Sequence, residues 1–334
     1  MKFTFHVASL AVLLLASGCS HDEPLTNAST GKPDEPEAEW IIRNISNSKL
    51  PDNQINALAI SKNDVKWVGT ANGLVKIDGE NWTIYDNSNS PLPSGMVRAV
   101  AVEDNGTVWA GTDKGLVKFD GTVWKVYDHT NSVLTNDGIS CITRDSIRKI
   151  TWIGTEAELV KVDDTSHWEK IEIGDNLIVS MVTDKDGKLW LGTFNQFAFI
   201  GSIKKYDNGS WTHQRLDHKG YPSAFPYALA IDKNNALLAV LSGTSVKSVV
   251  RISGENWEEI PRPEKAHGLK TILTEGDKIW VGGLTLSVFG DKNAECLAIP
   301  ESGSLITAMA RDSKGRKWLG TIDAGLAVYN QKVK

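Results

Sequence analysis

One phrase recurs down this chain and leaves little choice of fold. Trp67-Val68-Gly69-Thr70 leads to Gly73-Leu74-Val75-Lys76-Ile77-Asp78-Gly79 and then Trp82. Trp109-Ala110-Gly111-Thr112 leads to Gly115-Leu116-Val117-Lys118-Phe119-Asp120-Gly121 and then Trp124. Looser copies start at Trp152, Trp190, Leu238, Trp280 and Trp318, with successive spacings of 42, 43, 38, 48, 42 and 38 residues. This period is that of a four-stranded propeller blade. In the first copy, Ile55–Ile60, Val65–Thr70, Leu74–Asp78 and Trp82–Tyr85 read as strands A to D. Asn-Gly and Asp-Gly pairs between strands, as at Asn105-Gly106 and Asp78-Gly79, favour tight hairpins because both residues tolerate positive φ.

The two ends of the chain say how the ring closes. The last copy supplies A (Leu305–Arg311), B (Arg316–Thr321) and C (Gly325–Tyr329), but no D. Trp40-Ile41-Ile42-Arg43 aligns with Trp82-Thr83-Ile84-Tyr85, and Asn44–Pro51 matches Asp86–Pro93 after it. Trp40–Asn44 is therefore predicted to be strand D of blade 7, which leaves no blade short of a strand. The expected fold is all-β: a seven-bladed β-propeller over residues 40–334, with four antiparallel strands per blade. All twelve tryptophans fall in this register, six opening the strand B phrase and six opening strand D, so each is expected to pack between blades. Leu238 breaks the first series in blade 5.

Outside the repeats, residues 1–18 read as a targeting segment. Lys2 precedes an apolar stretch, Val7 to Ala16, too short to span a bilayer. Leu15-Ala16-Ser17-Gly18-Cys19 resembles a bacterial lipobox, in which the Cys19 thiol takes a lipid; the other reading is an ordinary signal peptide with a chance cysteine. Residues 19–39 are polar, acidic and proline-bearing and read as a flexible tether. The acids Asp22 and Glu23 just after the cysteine resemble the export tag of Bacteroidota surface lipoproteins. Formal net charge is −5, and no long basic patch appears, which argues against a nucleic-acid partner. Cys141 (inner strand, blade 3) and Cys296 (outer strand, blade 6) lie too far apart for a disulfide and are expected to be free, buried thiols. Two such cysteines carry no metal signal.

The phrase Trp-x-Gly-Thr-x-x-Gly-Leu-x-x-x-Asp-Gly-x-x-Trp resembles the two-component regulator propeller repeat. The likeness is sharpest in blades 1, 2 and 7, fair in 3 and 4, and worn in 5 and 6. In periplasmic sensors these repeats are linked to detection of oligosaccharides, so the resemblance implies glycan or protein binding. The sensors' second propeller, transmembrane helix and kinase have no counterpart here, so signalling does not carry over. A weaker resemblance is to the streptogramin lyases, whose strand A opens with Pro-His. No Pro-His occurs here, and Ala266-His267-Gly268 comes nearest.

Function in a propeller gathers on the face carrying the D–A and B–C loops, and blade 4 departs most from the repeat there. Its B–C loop, Phe194-Asn195-Gln196-Phe197-Ala198-Phe199-Ile200-Gly201-Ser202, is expected to be long, as is the D–A loop from His213 to Pro226. The predicted ligand-binding residues are Phe194, Asn195, Gln196, Phe197, His213, Arg215, His218, Tyr221 and Tyr227. Rings, amides and a guanidinium suit a sugar, which stacks its C–H faces and needs partners for its hydroxyls. The alternative is an insertion packing on itself. A lyase using His213 or His218 with Tyr221 or Tyr227 is a further reading. No third ligand supports a metal, and no cofactor motif is present. His267 and Glu264 form a smaller second cluster, whereas Asp104, Asp184, Asp186 and Asp312 recur at hairpins and read as turn residues. The overall expectation is a monomeric, non-catalytic propeller at the outer membrane. It would bind a glycan or an envelope protein and touch the membrane only through its lipid; the competing role is an envelope scaffold.

Overall fold

The computed structural model describes residues 39–174, 177–243, 247–263, 265–289, 294–300 and 304–331. The targeting segment, Cys19, nearly all of the tether and Glu264 lie outside the described residues.

Seven four-stranded antiparallel sheets make up the described chain, and only one short 3-10 turn, Asp217–Lys219, interrupts the β-structure. Six sheets are consecutive in sequence, from Ile55–Ile60 in blade 1 to Ala294–Leu297 in blade 6. The seventh joins the ends: Glu39–Arg43 pairs antiparallel with Leu326–Asn330, placing Trp40 opposite Tyr329 and Arg43 opposite Leu326. The two rings meet at 4.9 Å. Strand bounds in blades 1 and 7 agree with the sequence reading to within one residue.

The strands A contact one another in a closed cycle and so form the inner wall of the ring. Each sheet then packs on its neighbours through a separate apolar cluster. The strand B indole fills that seam toward the following blade: Trp67 packs with Val97 and Val108, Trp109 with Ile139 and Ile153, and Trp318 with Ile55 and Val68. The glycine of Trp-x-Gly-Thr explains itself here. A Cβ on Gly111 would sit 2.4 Å from Ile139 Cγ2, and one on Gly320 2.5 Å from Ile55 Cγ2. The missing side chain lets the next inner strand close up against the sheet.

Strand A carries a β-bulge in six blades, at Asn56, Arg98, Ser140, Val179, Tyr227 and Thr307. In blade 6, Lys270 takes the same place, between buried Leu269 and Thr271, which pairs with Gly282. Several of these positions staple the ring. Asn56 Nδ2 donates to the Val97 carbonyl, Ser140 Oγ to that of Ile178 and Thr307 Oγ1 to that of Ile55, each on the next blade. In blade 4 the neighbouring Ser180 does the same toward Pro226.

The repeated turn acids act as the sequence implies. Asp184 Oδ1 accepts from the amides of Asp186 and Lys188, and Asp312 Oδ1 from those of Lys314 and Arg316. Their second oxygens accept the indole N–H of Trp190 and Trp318, both at 3.0 Å. Asp104 instead holds an ion pair with Lys62 at 2.9 Å. One expectation needs correcting: Cys141 and Cys296 are free, but both are half-buried, because each stands near a sheet edge and not within a cluster's centre. Burial still pushes the Cys141 thiol up to about 12.

Candidate functional site

The D–A and B–C connections share one face, and on it the loops fall into two kinds. Three D–A loops are copies of one another. Asn44, Asp86 and Asp128 each accept the backbone amide two residues on, while Ser48, Ser90 and Ser132 return a hydroxyl to the carbonyls of those same residues. These Asx turns fold each loop down onto a buried leucine, Leu50, Leu92 or Leu134. Among the described residues, the remaining D–A loops share no such construction.

Blade 4 is the largest departure, though not in the form expected. The insertion lengthens the strands instead of the loop. Leu189–Asn195 and Ile200–Asp207 pair down to Asn195 and Ile200, leaving a tip of four residues. Asn195 Oδ1 accepts the amides of Phe197 (3.0 Å) and Ala198 (2.9 Å), and Phe199 takes a positive φ of 55° to turn the chain. The D–A segment is likewise shorter than expected, because His213 and Arg215 belong to strand D (Ser210–Arg215), and Pro226 and Tyr227 to strand A of blade 5 (Phe225–Ile231).

Hairpin and D–A segment do meet. The Leu216 amide donates to the Gly201 carbonyl at 2.9 Å, and Leu216 and Ala224 are fully buried beneath the crossing. Gly201 is required there, since a Cβ would lie 2.1 Å from the Ala224 carbonyl oxygen. Phe194 stacks on Phe225 at 3.8 Å and is only 4% exposed, so it serves packing. Phe197 and Phe199, by contrast, are 82% and 65% exposed at the tip. A cavity of about 200 Å³ opens at the foot of this crest, lined by Glu156, Ala157, Gly174, Leu177, Phe194, Gln196 and Phe197.

The other predicted residues separate. Arg215 is spent on Asp217, through Nη2 at 2.6 Å and Nε at 3.1 Å. His213 stands opposite Lys204 in the strand register with its side chain largely exposed; partial desolvation, then the cations Lys204, Arg215 and His218, draw its pKa below the usual value. His218 is exposed on the 3-10 turn. Tyr221 lies on the blade 5 side, its ring against Trp257 at 6.0 Å. Tyr227 is half-buried on the inner strand, with Phe225 stacked beside it at 5.7 Å. Among the described residues no hydrogen bond joins either histidine to either tyrosine. His267 is exposed, and its carbonyl accepts from the Leu284 amide.

Sequence reasoning missed Lys270. Its ammonium lies 3.7 Å from the Tyr227 ring centroid, and burial lowers its pKa to about 8. The signal was available in the repeat, where a lysine stands at the bulge position that Asn56, Ser140 and Thr307 use for staples.

A model for the two component regulator propeller matches residues 172–195, which run from the end of blade 3 through strands A and B of blade 4. The resemblance read from the repeat phrase thus has a direct counterpart, in a blade where the phrase is only fair. No curated protein matches the chain in sequence. Among solved structures, virginiamycin B lyase from Staphylococcus aureus superposes with a TM-score of 0.73 at 16% identity, covering 88% of this chain and 99% of the lyase. The extracellular domain of a chain assigned as a hybrid two component system, BT3049 from B. thetaiotaomicron, gives 0.68 at 17%, covering 85% of this chain and 40% of that one. YCF48 bound to D1 peptide gives 0.68 at 12%, covering 90% and 98%. At these identities the likeness is one of fold.

Proposed function

We propose that this propeller is a non-catalytic binding module that takes an oligosaccharide on the blade 4 crest. The carrying observation is the pairing of exposed rings with a polar-lipped cavity: Phe197 and Phe199 stand clear of the surface above a hollow offering the Gln196 amide and the Glu156 carboxylate. Aromatic planes collect the C–H faces of a sugar, and amide and carboxylate groups take its hydroxyls. The resemblance to sensor propellers and the fold of an extracellular sensor domain support the same reading. The protein would sit at the outer membrane, held by lipid on Cys19, as a monomer with no cofactor, metal or nucleic acid. The test is a glycan array followed by calorimetry on the hits. Phe197→Ala should weaken a hit about tenfold, near 1.4 kcal/mol. Saturable binding of an envelope protein, with no glycan hit, would replace this reading by a protein-docking one.

A lyase is the second reading, favoured by His213. Its pKa is drawn below the usual value, which favours the neutral form that can accept a proton. Release of an unsaturated sugar by the wild type, lost in His213→Ala, would establish it.

A further inference from the structure

The rings of blades 4 and 5 form one row. Phe199 meets Phe194 edge to face at 6.3 Å, Phe194 stacks on Phe225 at 3.8 Å, and Phe225 on Tyr227 at 5.7 Å. The row begins at the exposed crest and ends on the inner strand, where Lys270 of the next blade lays its ammonium over Tyr227.

Lysine over an aromatic ring is a habit of this protein, and it normally comes with an acid. Lys66 lies over Trp318 and pairs with Asp64 at 2.8 Å. Lys118 lies over Trp109 with Glu103 at 3.4 Å, and Lys317 over Trp280 with Glu275 at 2.7 Å. Lys219 lies over Trp257 with Glu255 at 3.0 Å. Lys205, over Trp190, is an exception, with no acid paired to it among the described residues. Lys270 has the ring, and it stands half-buried at the wall of the channel. Among the described residues no carboxylate lies within 4.0 Å of it. A partly desolvated ammonium without a counterion is a standing cost, since charge is penalised where water is thin and repaid when an anion arrives.

We infer that Lys270 is the anion-holding end of a ligand track running from the blade 4 crest to the channel wall, and that the ligand is an oligosaccharide bearing carboxylate or sulfate groups. This rests on the glycan-binding reading above and names its substrate class. Sugar rings would lie against Phe197, Phe199 and Tyr227, and an acidic substituent would give Lys270 the kind of ion pair that Lys66, Lys118, Lys219 and Lys317 already have. Arg98, half-buried at the bulge of blade 2 with no ion pair among the described residues, offers a second cation on the same ring of seven positions.

The experiment is calorimetry with four probes: trigalacturonate, a heparin-derived tetrasaccharide, maltotriose and galactotriose. One or both acidic probes should bind, and which of them does so separates carboxylate from sulfate. Lys270→Met should weaken that binding at least about tenfold, Lys270→Arg should keep it within about threefold, and raised salt should weaken the wild type more than Lys270→Met. Thermal melts of both variants establish that they fold. Equal binding of an acidic probe by wild type and Lys270→Met overturns the inference, as does binding of neutral probes alone, which leaves the glycan reading standing. No binding of any sugar, with a peptide or envelope protein bound instead, overturns both.

Discussion

Seams 7–1, 1–2 and 2–3 are built from one template, and seams 3–4 through 6–7 are not. In the first set an Asx turn folds over a buried leucine three times, at Leu50, Leu92 and Leu134. In the second set the plugs are Ile173, the pair Leu216 and Ala224, Ala266 and Ile299, and among the described residues none of them sits under a repeated Asx turn. The crest, the cavity at its foot, the aromatic row and Lys270 all belong to the second set. A ring needs every seam closed for stability, yet it needs only some of them to be closed in a fixed way. The templated arc carries the closure, and the other arc has been free to build outward.

The sharpest way to break this comparison is to ask whether the built-out arc is also structural. Phe194 belongs to the insertion but is buried against Phe225, so Phe194→Ala should cost about 3–5 kcal/mol in urea unfolding. Phe197, three residues on and 82% exposed, should cost less than about 0.5 kcal/mol on the same change. If Phe194→Ala costs as little as Phe197→Ala, the hairpin is an appendage, and the distinction between packing and presenting residues within it fails.

That distinction is also where sequence reasoning reached its limit. The closure by the strand holding Trp40, the register of the tryptophans and the turn role of Asp184 and Asp312 were legible, because a repeat states its own rules seven times. Blade 4 was legible as a departure, and Phe197 as a surface residue of it. The inward turn of Phe194 was not, because it depends on Phe225 of another blade and no period links the two. The same holds for Arg215, spent on Asp217, and for Lys270, whose setting comes from a ring on blade 5. The glycine spacing signalled the hairpin's foot only in hindsight: Gly201 is where two backbones cross.

A second probe tests the templated arc at its opposite face. Burial opposes ionisation of Asp312, but hydrogen bonds from Trp318 and Arg316 outweigh it and hold the carboxyl below the usual range; Glu275 behaves alike through Lys317 and Arg311. A carboxyl lowered in the folded state lends stability above its unfolded pKa, near 4, and loses it as pH falls through the folded value. Stability should therefore fall as pH drops below about 4. Asp312→Asn keeps a turn acceptor but loses the charge that Arg316 faces at 2.6 Å, and should cost about 1–3 kcal/mol at pH 7 while flattening that acid limb. An unchanged acid limb would mean that seam 7–1 draws nothing from this carboxylate.

The smallest effect is expected where the repeat lost its tryptophan. In blade 5, Leu238 and Val240 stand where the other blades have Trp and Gly, and both are fully buried against blade 6. A cavity of about 290 Å³ opens on this seam between Asp232, Lys233, Asn234 and Arg251 on one side and Thr274, Gly276, Asp277 and Ile279 on the other. Asp232 keeps its turn bonds to the amides of Asn234 and Ala236, but the oxygen that takes an indole N–H in other blades takes Arg251 Nε at 3.1 Å. Leu238→Trp points the indole at this space from the position directly across from Arg251 in the strand pair. If the seam is the template with a piece missing, the variant should gain about 1 kcal/mol, as the ring fills the hollow and regains the acid. If Val240 has already drawn the inner strand of blade 6 into a different fit, the larger side chain should cost about 1–3 kcal/mol instead. The sign of that one change separates an arc that decayed from the template from an arc that was repacked for its own purpose.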